Sequence, residues 1–108
     1  MQESRACLVH TTCADVESAR RLADALVEQR LAACVSVGAA VESRFPWEGR
    51  IDQETEVPVT IKTLEDRLDD LEAAFATLHP YEVPEILAVP VSRGNKPYLD
   101  WMNEWMNP

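Results

Sequence analysis

The densest group of chemically capable side chains is segment 79–85, with the sequence HPYEVPE. An imidazole, a phenol and carboxylates stand here around two prolines, and each proline ring fixes one backbone dihedral. In one interpretation the prolines hold His79, Tyr81 and Glu85 in fixed directions at a pocket or a metal site. In the other, His79 caps the end of a helix while Tyr81 packs and Glu85 pairs with a lysine or a backbone amide.

Lys62 ends a run of alternating apolar residues, directly after Ile61. An ammonium group that points into an interface needs a carboxylate, which Glu56 or Glu85 could supply. Burial could also lower its pKa enough for it to act as a nucleophile or base. The alternative is a lysine whose stem lies on apolar surface while its charge reaches water.

The three cysteines form no CxxC pair, and their odd number argues against a disulfide framework or a zinc ribbon. Small apolar neighbours predict that Cys34 is buried and inert, and Cys7 is predicted in the core for the same reason. Cys13 stands in a strand-to-helix turn, where we expect it to be exposed and the better soft-metal ligand. Reduced thiols favour a cytoplasmic location.

Aromatic residues concentrate at two places, Phe45 and Trp47 near a hairpin tip and Tyr98, Trp101 and Trp105 near the C-terminus. They fit either a protein interface or closure of the core. The common phosphate-loop, dinucleotide, zinc-protease, nucleophile-elbow and EF-hand motifs are absent. With only two histidines, a three-histidine metal site within one chain is excluded.

The first half of the chain predicts a strand over 6–12 and then a helix with apolar residues at helical spacing from Val16 to Leu31, with Asp15 as its N-cap. Residues 33–47 and 56–62 then form a long hairpin that turns near Gly49. Two prolines within it, at positions 46 and 58, require a sheet edge, a bulge or a change of strand partner.

The second half predicts a helix capped by Thr63 and ended by Pro80, with a leucine and phenylalanine stripe between them. Residues 83–91 are apolar on both faces, which is typical of a central strand. Residues 95–106 carry large apolar side chains at helical spacing and form a third helix.

This element order predicts one α+β domain over residues 1–108, a ferredoxin-like β-α-β-β-α-β sandwich with a C-terminal helix. Its helices cover one face of the sheet. The other face must meet solvent, the last helix or another subunit, and apolar strand residues favour burial of part of it.

Charge and hydropathy exclude two classes of partner. The chain of 108 residues has a formal charge of −9, which repels nucleic-acid phosphates. No window approaches the ~18 apolar residues of a membrane-spanning helix. We therefore expect neither nucleic-acid nor membrane binding.

Five collinear blocks resemble the CutA family of divalent-cation tolerance proteins: LVEQRLAACVSV at 26–37, FPWEGRI at 45–51, ETEVPVTIKT at 54–63, HPYEVPEI at 79–86 and YLDW at 98–101. The resemblance implies a homotrimer in which long hairpins reach neighbouring subunits and the bare sheet faces form the interior. It also implies an inter-subunit cleft lined by Cys34, Trp47, Lys62, Tyr81 and Glu85. The architecture is similar to that of nitrogen-regulatory signalling trimers.

The family's role is tolerance of copper and other divalent ions, and members with assigned copper ligands have a cysteine and a histidine where this chain has Thr11 and Leu78. His79 keeps its ligand type, and Cys13 is the second candidate metal ligand. Phe45 stands where many members have tyrosine.

These inferences predict a non-enzymatic, cytoplasmic homotrimer whose clefts bind copper or another divalent metal weakly, or an unidentified small ligand, with no obligatory cofactor. The alternative is a signalling module that binds an anionic effector through Lys62 and relays occupancy to a protein partner. A third hypothesis, an enzyme with Lys62 or Cys34 as nucleophile and Glu85 or His79 as base, has no recognised motif behind it.

Overall fold

The structure is a computed structural model that describes residues 4–108. Its elements in chain order are β1 (Ala6–Cys13), α1 (Val16–Glu28), β2 (Cys34–Val37), β3 (Val41–Trp47), β4 (Arg50–Leu64), a 3₁₀ turn (Glu65–Arg67), α2 (Leu68–Leu78), β5 (Leu87–Pro90) and α3 (Lys96–Met106). The sheet order is β2-β4-β1-β5, with β3 also paired to β4. All strand pairs are antiparallel.

Helices α1 and α2 cover one face of this sheet, as the ferredoxin-like prediction requires. Strand side chains alternate between faces, so odd-numbered residues of β1 and β4 point towards the helices. Together with residues from α1 and α2 they form one buried cluster, whose members include Val9, Ile61, Leu22, Leu71 and Phe75. The predicted α+β class is confirmed.

Strand β4 is 15 residues long and has two successive partners on one edge. Its first half pairs with β3 in a hairpin, and its second half pairs with β2. The hairpin turns through Glu48 and Gly49, both with positive φ, which is the geometry of a two-residue turn matched to strand twist. Pro58 lies where the partner changes, so the predicted turn and change of partner are both confirmed.

Gly38 lies beside that change of partner and packs closely against Pro58. Its N–H donates to the Pro58 carbonyl at 2.9 Å, and a Cβ at position 38 would lie 3.0 Å from the proline ring. The close approach of the two backbones favours glycine here.

Helix α1 begins as predicted, because the Asp15 carboxylate accepts a hydrogen bond from the Ser18 N–H at 2.7 Å. The helix ends at Glu28, and Arg30 adopts a positive φ of 57°. The Arg30 guanidinium then lies 3.7 Å from the Trp105 ring centroid and donates to the Trp105 carbonyl at 2.6 Å. This contact ties the end of α1 to α3.

The prediction that Thr63 caps the second helix is wrong. Thr63 is a fully buried residue of β4, and its hydroxyl donates to the Leu31 carbonyl at 2.7 Å. Leu64 packs against α3 rather than along α2, so the apolar stripe begins at Leu68 after the 3₁₀ turn. The helix ends before Pro80 as expected, with His79 as its C-cap.

The prediction of a central strand over 83–91 is also wrong. Strand β5 covers only Leu87–Pro90 and lies at the sheet edge, with β1 as its partner within the described chain. Leu87 is 61% exposed and Val89 is 49% exposed. The apolar run therefore reflects a surface that a single chain leaves uncovered, not a position inside its own sheet.

Helix α3 covers only one end of the second sheet face. Its Met102 and Met106 pack with Ala6 and Leu64, which lie on the face opposite α1 and α2. The rest of that face carries Leu8 and His10 in β1 beside the exposed residues of β5, and we call it the uncovered face. Among residues 4–108 no helix is long and apolar enough to cross a bilayer.

Candidate functional site

His79 lies buried at the end of α2, with both ring nitrogens engaged. The Tyr81 N–H donates to Nδ1 at 3.1 Å, so Nδ1 is an acceptor. Nε2 lies 2.9 Å from the Thr12 carbonyl, to which it must donate. These partners assign the neutral Nε2–H tautomer. Burial lowers the pKa of His79 and outweighs the opposing effect of the Thr12 carbonyl.

Thr11 and Cys13 point at the same imidazole from the end of β1. Thr11 Oγ1 lies 3.1 Å from Nε2, and Cys13 Sγ lies 3.9 Å from it. Thr11, which stands in place of the cysteine that the sequence resemblance implies, is therefore adjacent to His79. The expectation that Cys13 is exposed is wrong: its parity in β1 places it inside, fully buried, and burial and the Asp15 charge raise the pKa of its thiol.

Glu56 is a hydrogen-bond acceptor that joins three elements close to this imidazole. Its Oε2 accepts from the Thr12 hydroxyl at 2.7 Å and from the Tyr81 hydroxyl at 3.0 Å. Desolvation opposes ionisation of Glu56, but the hydrogen bonds from Thr12, Ser43 and Tyr81 outweigh it and lower the carboxyl pKa. For Tyr81, burial and the neighbouring Glu56 raise the pKa to about 12. Glu56 is thus an anion, and Tyr81 a neutral donor, at neutral pH.

A groove opens beside this network, between the β3–β4 hairpin and the loop that follows α2. Trp47, Tyr81 and Glu85 of the predicted cleft all line it. Carboxylates dominate its charge, and Arg44 is the basic residue in its wall. We call it the acidic groove, and its acidic members are Asp52, Glu54, Glu56, Glu82 and Glu85. Within residues 4–108, no three histidine, cysteine or acidic side chains converge as a metal site.

Cys34 and Lys62, the other two predicted cleft residues, do not line the acidic groove. They are direct partners across β2 and β4, on the sheet face opposite α1 and α2. Among residues 4–108, no carboxylate forms an ion pair with Lys62. Its Nζ instead donates to the Tyr98 hydroxyl at 3.2 Å and lies 5.2 Å from that ring's centroid. Cys34 is partly exposed rather than buried.

The pKa of Lys62 is raised, chiefly by the hydrogen bond to Tyr98 and against a smaller effect of burial. Within one chain, burial therefore does not lower the pKa of Lys62 towards catalytic use. Neither Glu85 nor His79 lies among the contacts of Lys62 and Cys34 described above. The arrangement that the enzyme hypothesis needs is not assembled within one chain.

The site thus consists of two surfaces on one chain. The acidic groove presents carboxylates, a phenol and an indole, which can attract a cation. The second surface presents a lysine and a thiol. Glu56 is the member that sequence reasoning missed as a site residue. The sequence offered Glu56 only as a partner for Lys62, because its contact with Tyr81, 25 positions away, was not visible in the sequence.

Comparisons with known proteins agree with these observations. Residues 7–105 match the family model described as CutA1 divalent ion tolerance protein. The chain is 41% identical over 97 residues to the divalent-cation tolerance protein CutA of Thermus thermophilus, covering 90% of this chain and 94% of that protein. It is also 41% identical to mouse protein CutA, over 86% of this chain but only 52% of the mouse protein.

Solved structures give the same result. CutA1 from the psychrotrophic bacterium Shewanella sp. SIB1 matches with a TM-score of 0.91 and 43% identity, covering 99% of this chain and 100% of that one. CutA1 from Oryza sativa matches with a TM-score of 0.93 and 35% identity, covering 96% and 95%. The fold agrees with these matches. The chain belongs to the CutA1 divalent ion tolerance family.

Proposed function

We propose that this protein is a homotrimer that binds divalent cations, copper among them, in clefts between subunits and so contributes to metal tolerance. The observation that carries the proposal is the division of the predicted cleft into two surfaces. Trp47, Tyr81 and Glu85 line one, and Cys34 and Lys62 belong to the other. A neighbouring subunit that brings its own second surface to the acidic groove would complete the cleft.

The uncovered face supports association. It carries Leu87, 61% exposed, and Val89, 49% exposed, beside Leu8, with no covering element in the described chain. Exposed apolar patches of this kind are typical of interfaces, and an unpaired edge strand next to them invites contact with another chain. A small chain also gains stability when association buries such surface.

The charge and chemistry of the groove support cation binding. Glu56 is ionised at neutral pH, and four more carboxylates line the same groove. Oxygen ligands suit divalent cations generally, and the His79 imidazole and Cys13 thiol beneath the groove add ligands that suit copper. Because His79 and Cys13 are buried and the imidazole nitrogens already have partners, binding at this pair must break hydrogen bonds and displace a thiol proton. We therefore expect weak affinity.

Sedimentation equilibrium tests the assembly. We expect a mass of three times the 12.1 kDa chain, and Val89→Glu to shift it towards the monomer by placing charge in the uncovered face. Val16→Glu, on the helix side and 39% exposed, is the matched control and should leave the mass unchanged. A folded monomer for the unaltered chain across the micromolar range refutes the trimer.

Calorimetric titration with Cu²⁺ and Zn²⁺ tests the metal. We expect weak binding to the native chain and loss of it in His79→Ala. That variant loses buried hydrogen bonds and could unfold, so Thr11→Cys provides a second test. It adds a thiolate ligand at a position where the native Thr11 Oγ1 lies 3.1 Å from His79 Nε2. It should tighten Cu²⁺ binding by about tenfold, or ~1.4 kcal/mol. No heat with any of the three proteins removes the metal proposal.

We also place the protein in the cytoplasm and regard it as a binding protein rather than an enzyme. Its free cysteines support a reducing compartment, and the lack of contact between the candidate nucleophiles and bases supports the second point. Fractionation of cells that produce the native chain, with thiol alkylation before lysis, tests the location.

A further inference from the structure

A second cavity lies at the end of the sheet that α3 covers, away from the acidic groove. Its volume is about 220 Å³. The walls come from the start of β1, the end of β4, the linker between β5 and α3, and α3 itself. None of the groove residues contributes to it. It is therefore a separate site, within one chain.

The floor of this cavity is apolar. Ala6, Leu64 and Met102 lie there and are 9%, 3% and 3% exposed, and Val91 and Leu99 are half-buried beside them. An apolar floor of this size accommodates a short hydrocarbon chain or one small ring. A nucleotide is too large for it.

The rim of the cavity is cationic. Arg5 and Arg93 both line it and both are exposed. Within the described residues neither guanidinium forms an ion pair, whereas Arg44 and Arg67 pair with carboxylates. The chain has a formal charge of −9, so two arginines without ion pairs at one cavity give this part of the surface a positive charge that the chain as a whole lacks. The guanidinium fork matches the two oxygens of a carboxylate.

No carboxylate of the described chain competes for this rim. Among residues 4–108, Glu65 and Asp66 directly follow Leu64 but do not line the cavity. Asp66 is held by Arg67 at 2.6 Å, and its N–H donates to the Ser4 hydroxyl at 2.9 Å. Within the described part of the chain, residues 4–108, no acidic side chain occupies the rim, which leaves both guanidinium groups available to an anion.

We propose that this cavity binds a small amphiphilic carboxylate, with the carboxylate at Arg5 and Arg93 and the apolar body on Ala6, Leu64 and Met102. The bound molecule would link the start of β1 to α3 and the linker before it. The site is distinct from the acidic groove, because the two share no lining residue.

Methyl NMR of the full-length protein, labelled at methionine, tests the site with hexanoate as the probe. We expect a saturable shift of the Met102 methyl signal, assigned through its loss in Met102→Leu. Hexanol has the same apolar body without the charge, and it should bind about tenfold more weakly or worse, as expected for the loss of charge-assisted hydrogen bonds. Hexylamine should not bind.

Arg5→Gln and Arg93→Gln should each weaken hexanoate binding by about tenfold, while Arg20→Gln, on the outer face of α1, should leave it unchanged. All three residues are exposed, so the variants are expected to fold, and their melting temperatures check this. Equal binding of hexanol and hexanoate, equal binding by the cavity and control variants, or no Met102 shift at millimolar hexanoate overturns the proposal. Tighter binding of hexyl phosphate than of hexanoate overturns its assignment to carboxylates.

Discussion

The hydrogen bonds at Glu56 attach the loop after α2 to β4, just before the buried part of that strand. Their contribution to stability can be predicted quantitatively. The Tyr81 hydroxyl donates to Glu56 Oε2 at 3.0 Å, and the Thr12 hydroxyl donates to the same atom at 2.7 Å. Tyr81→Phe removes the first bond and keeps the ring. Glu56→Gln removes the charge and keeps the shape.

Hydrogen bonds to a charged group contribute ~1.5–3 kcal/mol, and partial exposure of both side chains places this bond at or below the lower end of that range. We therefore expect Tyr81→Phe to cost about 1 kcal/mol, and a coupling energy of similar size between Tyr81→Phe and Glu56→Gln. For a chain of 108 residues this lowers the melting temperature by roughly 4 °C. Protein concentration must be fixed, since association shifts apparent stability.

The pH dependence of this effect has a definite sign. The folded-state pKa of Glu56 is lowered from 4.5, so the stabilisation is fully present above pH 4.5 and is lost as pH falls through the folded-state value. The difference between native protein and Tyr81→Phe should therefore be constant from pH 5.5 to 7.5 and shrink in acid. An increase of the difference in acid contradicts the assignment of Glu56 as the charged acceptor.

Urea denaturation of the native chain, both single variants and the double variant measures the coupling. The chain has one other tyrosine, Tyr98, which bonds Lys62 instead. Tyr98→Phe is the matched control, and in combination with Glu56→Gln its effect should be additive. A Tyr81–Glu56 coupling no larger than that of the Tyr98 control refutes the reasoning.

Three further predictions concern buried contacts. The lowered pKa of His79 means that the free energy of unfolding falls as pH drops below 6.5 towards the folded-state value, and His79→Asn should flatten that slope in urea titrations at pH 5.5 and 7.5. Trp105→Phe removes the hydrogen bond from Nε1–H to the Val27 carbonyl at 3.1 Å but keeps an aromatic ring beneath Arg30. Calorimetric melting should show that the free energy of unfolding falls by ~1 kcal/mol, and no fall means that water replaces the bond. Phe75→Ala, at a side chain only 1% exposed, should cost ~3–5 kcal/mol, and a cost below that of an Ile→Val change means that the core refills the space.

The sequence predicts the elements that local chemistry determines. Asp15 caps α1 because its side chain reaches an amide three residues on, and Gly49 turns the hairpin because its φ of 81° is open to glycine. Both are contacts within a few residues. The alternating positions of Val57, Val59 and Ile61 are also a local pattern, and they predict which face of β4 is buried.

The errors arise where distant contacts override local pattern. Thr63 has the residue type of a cap, but its hydroxyl meets a carbonyl 32 positions away, and the strand continues through it. Residues 83–91 have the composition of a central strand, but in the described chain no element covers either face of β5. Sequence pattern reports which residues avoid water, and it does not report which chain covers them.

Within the candidate site, residue type and spacing single out His79 and Tyr81 as candidates but do not predict their partners. The tautomer of His79 depends on the Thr12 carbonyl, 67 positions away. The raised pKa of Lys62 depends chiefly on its hydrogen bond to Tyr98, 36 positions away. The burial of Cys13 was available from the alternation of β1, since it shares parity with Val9 and Thr11. The strand simply extends one residue further than its apolar run.

Strand β4 places the hairpin and the core on one continuous backbone. Residues that pair with β3 pass directly, at Glu56 and Val57, into residues packed beneath α1 and α2. A molecule that binds the hairpin therefore contacts the same strand that packs in the core. Amide hydrogen exchange in the middle of β4 should therefore slow when a molecule binds at the tip of the hairpin. The exchange rate of core residues then reports binding at a site many residues away.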